Sequence, residues 1–300
     1  MILRKDKIIN NKGVFWMKKL VLVLTLVLLA VVATACGGSD EKAQGDEKNL
    51  VIGVSAGDRT WPEIKRIAEK DGINIELKEF SDYVLPNRAL ADGDLDANAF
   101  QTVAYFDSFI KENKLDLVPL ASTVIAPMGV YSNKVKDIKD IKNGATIAVP
   151  DDITNYGRAL LLLQEAGLIT LVDDFDGNGS PEAIKENPKK LDIKPMVAGQ
   201  IPRALDDVDA ATINNGVAVE AKLNPLKDSI FLESDTAKPY INIIAVRKGD
   251  TDREALKKIV EIYHSDDMKK FIEKTYKGSS IPAFIPLDEL ETYKETWSKK

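Results

Sequence analysis

The strongest constraint in this sequence is a unit that occurs twice: a short apolar run ending in small residues, followed at once by a helical pattern. Leu50-Val51-Ile52-Gly53-Val54 runs into Ser55-Ala56-Gly57. An apolar run of this length, bounded by turn residues, reads as a buried strand feeding a loop. Thr60 and Glu63 form a capping-box pair, Pro62 sits in the first turn, and Ile64, Ile67 and Ala68 repeat at helical spacing until Asp71-Gly72. Ile73 to Leu77 alternates like a second strand, and a helix is expected around Pro86 to Ala91. The unit restarts at Ala145 to Pro150, predicting a strand, then a helix from about Asn155 to Ala166 closed by Gly167. Further strands are expected at Ile193 to Val197, Ala210 to Ile213 and Ile241 to Val246, and mostly amphipathic helix from Asp252 to Lys274. Strand and helix in alternation specify an α/β sheet covered by helices. Two such units without a long linker imply two lobes with a ligand cleft between them.

Ahead of this pattern lies a leader. Lys18 and Lys19 precede the apolar run Leu20 to Ala35, too short for the roughly 20 residues of a comfortable membrane span. It reads as a signal peptide over residues 1–35, with Met17 a candidate for the true start. Small residues then meet a cysteine in Ala33-Thr34-Ala35-Cys36-Gly37-Gly38-Ser39. This resembles a bacterial lipobox, in which Cys36 is lipidated and becomes the new N-terminus, although Ala33 stands where Leu is more usual. The competing reading is a plain signal peptide with an unrelated thiol. Residues 36–49 are almost devoid of apolar side chains and are expected to form a flexible tether. The expected location is the cell membrane, lipid-anchored on the extracytoplasmic side.

Charge and composition exclude several classes of function. The 300 residues, 44% apolar and 29% charged, make a disordered or fibrous chain untenable. Beyond residue 35 there are 35 basic and 46 acidic residues, a net of −11, which disfavours binding to phosphate backbones. One Cys and one His, His264, leave no internal disulfide and no multi-histidine metal cage. Asp174, Asp176, Asn178 and Gly179 match the start of a calcium loop, but position twelve is Lys185, so a surface turn is expected. His264, at the end of an amphipathic stretch, is expected to be solvated. Asp92, Asp94 and Asp96 are expected in a turn leading into a strand. No metal and no cofactor is implied.

Five blocks in order carry a resemblance: Phe80 to Tyr83, Ala91 to Gln101, Thr154 to Gln164, Pro202 to Asp209 and Tyr240 to Asn242. Together they resemble the NlpA-type methionine-binding lipoproteins, the substrate-binding components of methionine ABC importers, over Leu50 to Phe284. The resemblance implies a two-lobed periplasmic-binding-protein fold that closes on an amino acid, L-methionine first among them. It also implies delivery to a membrane permease and its ATPase by a monomer that is not an enzyme. On that basis residues 50–128 and 244–300 are expected to form lobe 1 and residues 132–240 lobe 2, with crossings near Pro127 to Tyr131 and Tyr240 to Ile243.

The residues can be weighed on their own chemistry. An amino-acid site must satisfy a carboxylate and an ammonium as both lose water. Arg158, expected in the first turn of its helix, suits a bidentate carboxylate clamp, and the alternative is a salt bridge to Asp151 or Asp152. Asn98, Asn214 and Asn242 each offer a donor and an acceptor. Asn214 and Asn242 match ligand-contacting positions of the family, whereas Asn98 is expected in a turn. Tyr83, Phe100 and Tyr105 suit an aromatic wall against a thioether, or else belong to the core. Thr102 stands where many family members have His, and Gly216 and Val217 where they have Asn and Tyr. The alternatives are therefore a paralogue for another apolar amino acid or a methionine-containing dipeptide, and a surface interaction lipoprotein or adhesin. An exposed enzyme is a further alternative, weakened by the scarcity of His and Cys.

Overall fold

The computed structural model describes residues 48–234 and 238–292. The leader, Cys36 and the tether as far as residue 47 lie outside the described residues; Asn49, expected in the tether, already begins the first strand, where it pairs with Asn74. From there the chain runs β1 (Asn49–Ser55), α1 (Thr60–Ala68), β2 (Asn74–Phe80), α2 (Leu85–Asp92), β3 (Ala97–Thr102), α3 (Val103–Asn113) and β4 (Leu117–Ile125). It crosses to β5 (Gly129–Tyr131), β6 (Thr146–Pro150) and α4 (Ile153–Glu165), then the small antiparallel pair β7 (Thr170–Leu171) and β8 (Ile184–Glu186). Next come β9 (Asp192–Met196), β10 (Ala210–Ile213), α5 (Asn215–Glu220) and β11 (Ser229–Leu232). It returns through β12 (Ile241–Arg247), α6 (Glu254–Tyr263), α7 (Asp266–Tyr276), β13 (Ile281–Pro282) and α8 (Leu287–Glu291).

Two separate sheets result. The first has the order β13-β4-β12-β3-β1-β2 and the second β11-β5-β10-β6-β9. In each, parallel pairs (β1 with β2 and β3; β6 with β9 and β10) meet antiparallel ones (β12 with β3 and β4; β5 with β10 and β11). Helices cover both faces, so the strands bury side chains in both directions. On β12, Ile241, Ile243 and Ala245 enter the cluster with α2 and α3, while Ile244 and Val246 enter the cluster with α1, α6 and α7. On β6, Ile147 and Val149 pack towards α4 and Ala148 towards the opposite face with Ile201 and Val217. This is the α/β architecture of two lobes that the alternation implies.

Two local details differ from expectation. The start of α1 is capped by Asp58, whose Oδ1 accepts from the N–H groups of Thr60 (2.7 Å) and Trp61 (3.1 Å), while Glu63 turns outward to Arg66. The expected Thr60–Glu63 box is not formed, because Asp58 already satisfies the free amides. The stretch from Asp252 to Lys274 is two helices, broken where Ser265 accepts from Met268 N–H (3.2 Å) and restarts the chain as α7. Among the described residues no helix is long and apolar enough to cross a membrane.

Candidate functional site

A cavity of about 120 Å³ opens between the sheets, well above the roughly 10–15 Å³ that one water needs. Its lining comes from the ends of β1 and β3 in the first sheet and the N-terminal turns of α4 and α5, which follow β6 and β10 of the second. Carboxyl ends of strands are where open α/β sheets hold ligands, since loops and helix starts converge there. Arg158, Asn214, Asn242, Tyr83, Phe100, Tyr105 and Thr102 all line this cavity.

Arg158 is 3% exposed and its partner is Glu233, 75 residues away, rather than Asp151 or Asp152. Nε donates to Oε1 (2.9 Å) and Nη2 to Oε2 (2.6 Å), a fork-to-fork pair. Nη2 also donates to the Ala126 carbonyl (3.0 Å), and the guanidinium lies 4.3 Å from the centre of the Tyr240 ring. Burial alone would lower the pKa of Arg158, but Glu233 more than offsets it and holds it above the ordinary value. A bidentate edge for a ligand is therefore not free: three of the five guanidinium protons are engaged, and among the described residues no hydrogen bond forms from Nη1. The helix also begins earlier than expected, at Ile153, which puts Arg158 in the second turn. Its N-terminus is occupied by Asp152, which accepts from Asn155 N–H (2.9 Å) and from the Thr154 hydroxyl (2.9 Å). Burial raises the pKa of the Asp152 carboxyl, and the hydrogen bonds from Asn155 work against that rise. Burial likewise raises the pKa of Asp58, which is with Arg158 one of the two charged side chains in the lining among the described residues.

The asparagines play different parts. Asn155 donates to both oxygens of Asp152 and its own Oδ1 accepts from Asn214 (2.7 Å). Asn214 Oδ1 is thereby left buried with no hydrogen-bond partner among the described residues. Asn242 on β12 donates to the Val124 carbonyl (3.3 Å). Asn98 is not in a turn: it sits in β3, fully buried, and shares an amide network with Asn87 and Gln101. The turn reading fails because the strand begins at Ala97 and the Asn98 side chain points under α2, where it donates to the Pro86 carbonyl (3.2 Å).

Tyr83, Phe100 and Tyr105 pack on one another, with ring centroids 5.9 to 6.2 Å apart. The Tyr105 hydroxyl donates to the Tyr83 carbonyl (2.7 Å), which ties the loop before α2 to α3. Thr102 caps α3 through its hydroxyl, which accepts from Tyr105 N–H (3.3 Å). Gly216 lines the cavity, and a Cβ built on it meets no heavy atom within 4 Å. Val217 does not line it and packs into the cluster with Ile201 and Ile213.

Outside the cleft, His264 is half-buried rather than solvated: Nε2 lies 2.8 Å from the Ser122 carbonyl and the ring stacks on Phe284 at 4.6 Å. Asp96 accepts from Val51 N–H (2.7 Å) and pairs with Arg253, a structural role. Asp176 accepts from Asn178 N–H in a local turn, and among the described residues no group of acidic, His or Cys side chains is placed to hold a metal. Glu233 and Asn155 escaped the sequence reading. Nothing in Phe231-Leu232-Glu233-Ser234 marks a partner for a helix 75 residues earlier, whereas Gly57-Asp58-Arg59-Thr60 does hold an Asp at a capping position.

Residues 50–284 match the family model of the NlpA lipoprotein. The chain belongs to the NlpA lipoprotein family. Among NlpA lipoproteins it is similar to the lipoprotein YhcJ of Bacillus subtilis, 42% identical over 93% of this chain and 98% of the relative. It is equally similar, at 42% identity over 85% of this chain and 94% of the relative, to the D-methionine-binding lipoprotein MetQ of Salmonella typhi. A nutrient binding protein from Burkholderia cenocepacia, solved bound to methionine, superimposes with a TM-score of 0.75 at 47% identity, covering 78% of this chain and 100% of that one. The fold is the two-lobed one of periplasmic substrate-binding proteins, as the resemblance implies.

Proposed function

We propose that this NlpA lipoprotein binds methionine, or a closely related small amino acid, between its lobes and delivers it to an ABC permease and its ATPase. In this reading lipid on Cys36 holds the chain at the extracytoplasmic face of the membrane. Residues 50–128 with 244–300 act as one lobe and 132–240 as the other, in a monomer that binds and does not catalyse. The observation that carries it is the pairing, in one cavity, of a cation with spare protons and an unsatisfied acceptor: Nη1 of Arg158 for a carboxylate and Oδ1 of Asn214 for an ammonium. A buried acceptor without a partner costs roughly 1–3 kcal/mol, which a ligand ammonium recovers. Asn242 adds a polar side chain to the same lining, and Tyr83, Phe100 and Tyr105 offer a thioether side chain the ring faces and edges it favours. Thr102, in place of a larger ring, sets the room beside them.

The open space at Gly216 favours a second reading, in which the site takes a larger apolar amino acid or a methionine-containing dipeptide. One experiment separates these. Protein unfolded and refolded free of ligand is scanned for thermal shift against both enantiomers of methionine, the other amino acids and several dipeptides. A ligand at about 100 times its dissociation constant adds about 2.7 kcal/mol of stability. A shift with methionine is expected. Larger shifts with a dipeptide or with leucine transfer the assignment to that ligand, and no shift with any compound overturns the transport reading in favour of a surface interaction protein.

A further inference from the structure

The cleft holds a charge that the amino-acid reading does not use. Glu233 is 8% exposed, lies behind Arg158, and spends both oxygens inward: Oε1 on Nε of Arg158, Oε2 on Nη2 and on the N–H of Met128 (2.9 Å). Among the described residues the charged side chains in the lining are Arg158 and Asp58. With Glu233 pressed against the guanidinium, the single cation is already neutralised before a ligand arrives.

We infer that Glu233 sets the charge preference of the cleft: it makes the site take a zwitterionic α-amino acid and reject the matching α-hydroxy or α-keto acid. This rests on the amino-acid reading above. A zwitterion brings no net charge, so its carboxylate meets Nη1 of Arg158 while its ammonium meets Asn214 Oδ1 and the field of Asp58. An α-hydroxy acid brings the same carboxylate with no ammonium. It enters a cleft whose cation is cancelled by Glu233 and whose remaining charges are the carboxylates of Asp58 in the lining and Asp152 beside it, and the acceptor on Asn214 is served only by a neutral hydroxyl. Shape barely distinguishes the two ligands, since a hydroxyl replaces an ammonium on the same carbon. Discrimination therefore falls to charge. Without Glu233 the anion would face an uncompensated guanidinium, and one charge removed within several Å at an effective dielectric near 20 moves its affinity by about tenfold or more. The zwitterion changes far less, because what its carboxylate gains its ammonium loses.

The test is calorimetric titration of refolded wild type, Glu233→Gln and Glu233→Asp with L-methionine and with its α-hydroxy analogue. Gln keeps an oxygen for Met128 N–H while removing the charge, and Asp keeps the charge on a shorter stem. The preference for methionine over the hydroxy acid is expected to shrink by about tenfold or more in Glu233→Gln and to stay close to wild type in Glu233→Asp. A preference unchanged within about twofold in Glu233→Gln, or lost equally in both variants, would show that Glu233 only supports the fold. Should circular dichroism show that Glu233→Gln does not fold, Glu233→Met removes the charge without setting an amide N–H against the guanidinium, and the same ratio decides. Wild type that binds no amino acid at all overturns the amino-acid reading itself, whatever the variants do.

Discussion

Arg158 has two places in the structure that a substitution would otherwise confuse: it balances Glu233 and it lines the cleft. Arg158→Ala is expected to cost about 3 to 5 kcal/mol of stability, because it strands a buried carboxylate. The same change is expected to abolish ligand binding. Replacing both partners, Arg158→Met with Glu233→Met, is expected to recover most of the stability, since a buried ion pair exchanged for apolar side chains of similar volume is often neutral. Binding would stay lost. Urea denaturation and calorimetry on the two variants check this, and a double variant as unstable as Arg158→Ala would show that the pair is worth more than its mutual neutralisation. Asp58 has the opposite electrostatic character. Burial raises its pKa above the unfolded value, so the native state holds the proton to a higher pH than the unfolded chain does. That contribution is complete below the unfolded pKa and disappears as pH rises through the native one. Asp58→Asn keeps an acceptor for the amides of Thr60 and Trp61 without the charge. Wild type is therefore expected to gain stability relative to Asp58→Asn as the pH is lowered from 7 to about 3, and a difference that stays constant over that range would contradict a carboxyl shifted by burial.

At the scale of elements, two caps that look alike in sequence separate structure from function. Ser265 starts α7 far from the cavity, and Asp152 starts α4 beside it. Ser265→Ala and Asp152→Ala are each expected to cost about 0.5–2 kcal/mol in denaturant titrations, the usual value of an N-cap. Only Asp152→Ala is expected to weaken ligand binding as well, because it frees Asn155, which in turn orients Asn214. Equal affinities in the two variants would break that relay. The same elements show what a sequence exposes. The strands at Thr146–Pro150, Ala210–Ile213 and Ile241–Arg247 were legible because each is largely buried and reads as an apolar or small-residue run, whereas the edge strand Asp192–Met196, with three of its five residues exposed, showed only through Ile193 and its neighbours. Helix starts were less legible: Asp58 and Asp152 cap through side chains placed one or two residues ahead of the apolar period, so periodicity alone put α4 two residues late. The Arg158 and Asn214 positions were legible through family resemblance and their chemistry. Glu233 was not, because its partner is fixed by the return of the chain between sheets and by no local pattern.

At the scale of the molecule, the crossings between sheets lie earlier in the chain than the sequence suggests. Gly129–Tyr131 is already paired as β5, which leaves residues 126–128 between β4 and β5, and Ile241–Arg247 is paired as β12, so the return to the first sheet lies ahead of Ile241 and not within Tyr240 to Ile243. Elsewhere the cleft is bridged by apolar contacts, Leu161 on the first sheet's cluster and Tyr83 on the second's, and by hydrogen bonds. The Ser81 hydroxyl, from the loop after β2, donates to Glu220 at the end of α5 (2.7 Å, exposed), and Asn215 donates to the Ser279 carbonyl (2.6 Å, buried). These bonds join the first sheet's loops to the second sheet's α5, so they exist only while the lobes are together. An exposed polar contact is worth about 0–1 kcal/mol, whereas a buried one leaves the Ser279 carbonyl unsatisfied when removed and costs roughly 1–3 kcal/mol. Both act on the balance between open and closed lobes, and ligand affinity scales with the fraction of molecules in the closed form. Glu220→Ala is therefore expected to weaken binding by less than about fivefold, and Asn215→Ala by about tenfold or more. Small-angle scattering is expected to show a larger ligand-free radius for Asn215→Ala than for wild type, with the two converging once ligand saturates the cleft. Equal radii without ligand, combined with the loss of affinity, would place Asn215 in direct contact with the ligand instead of on the closure equilibrium.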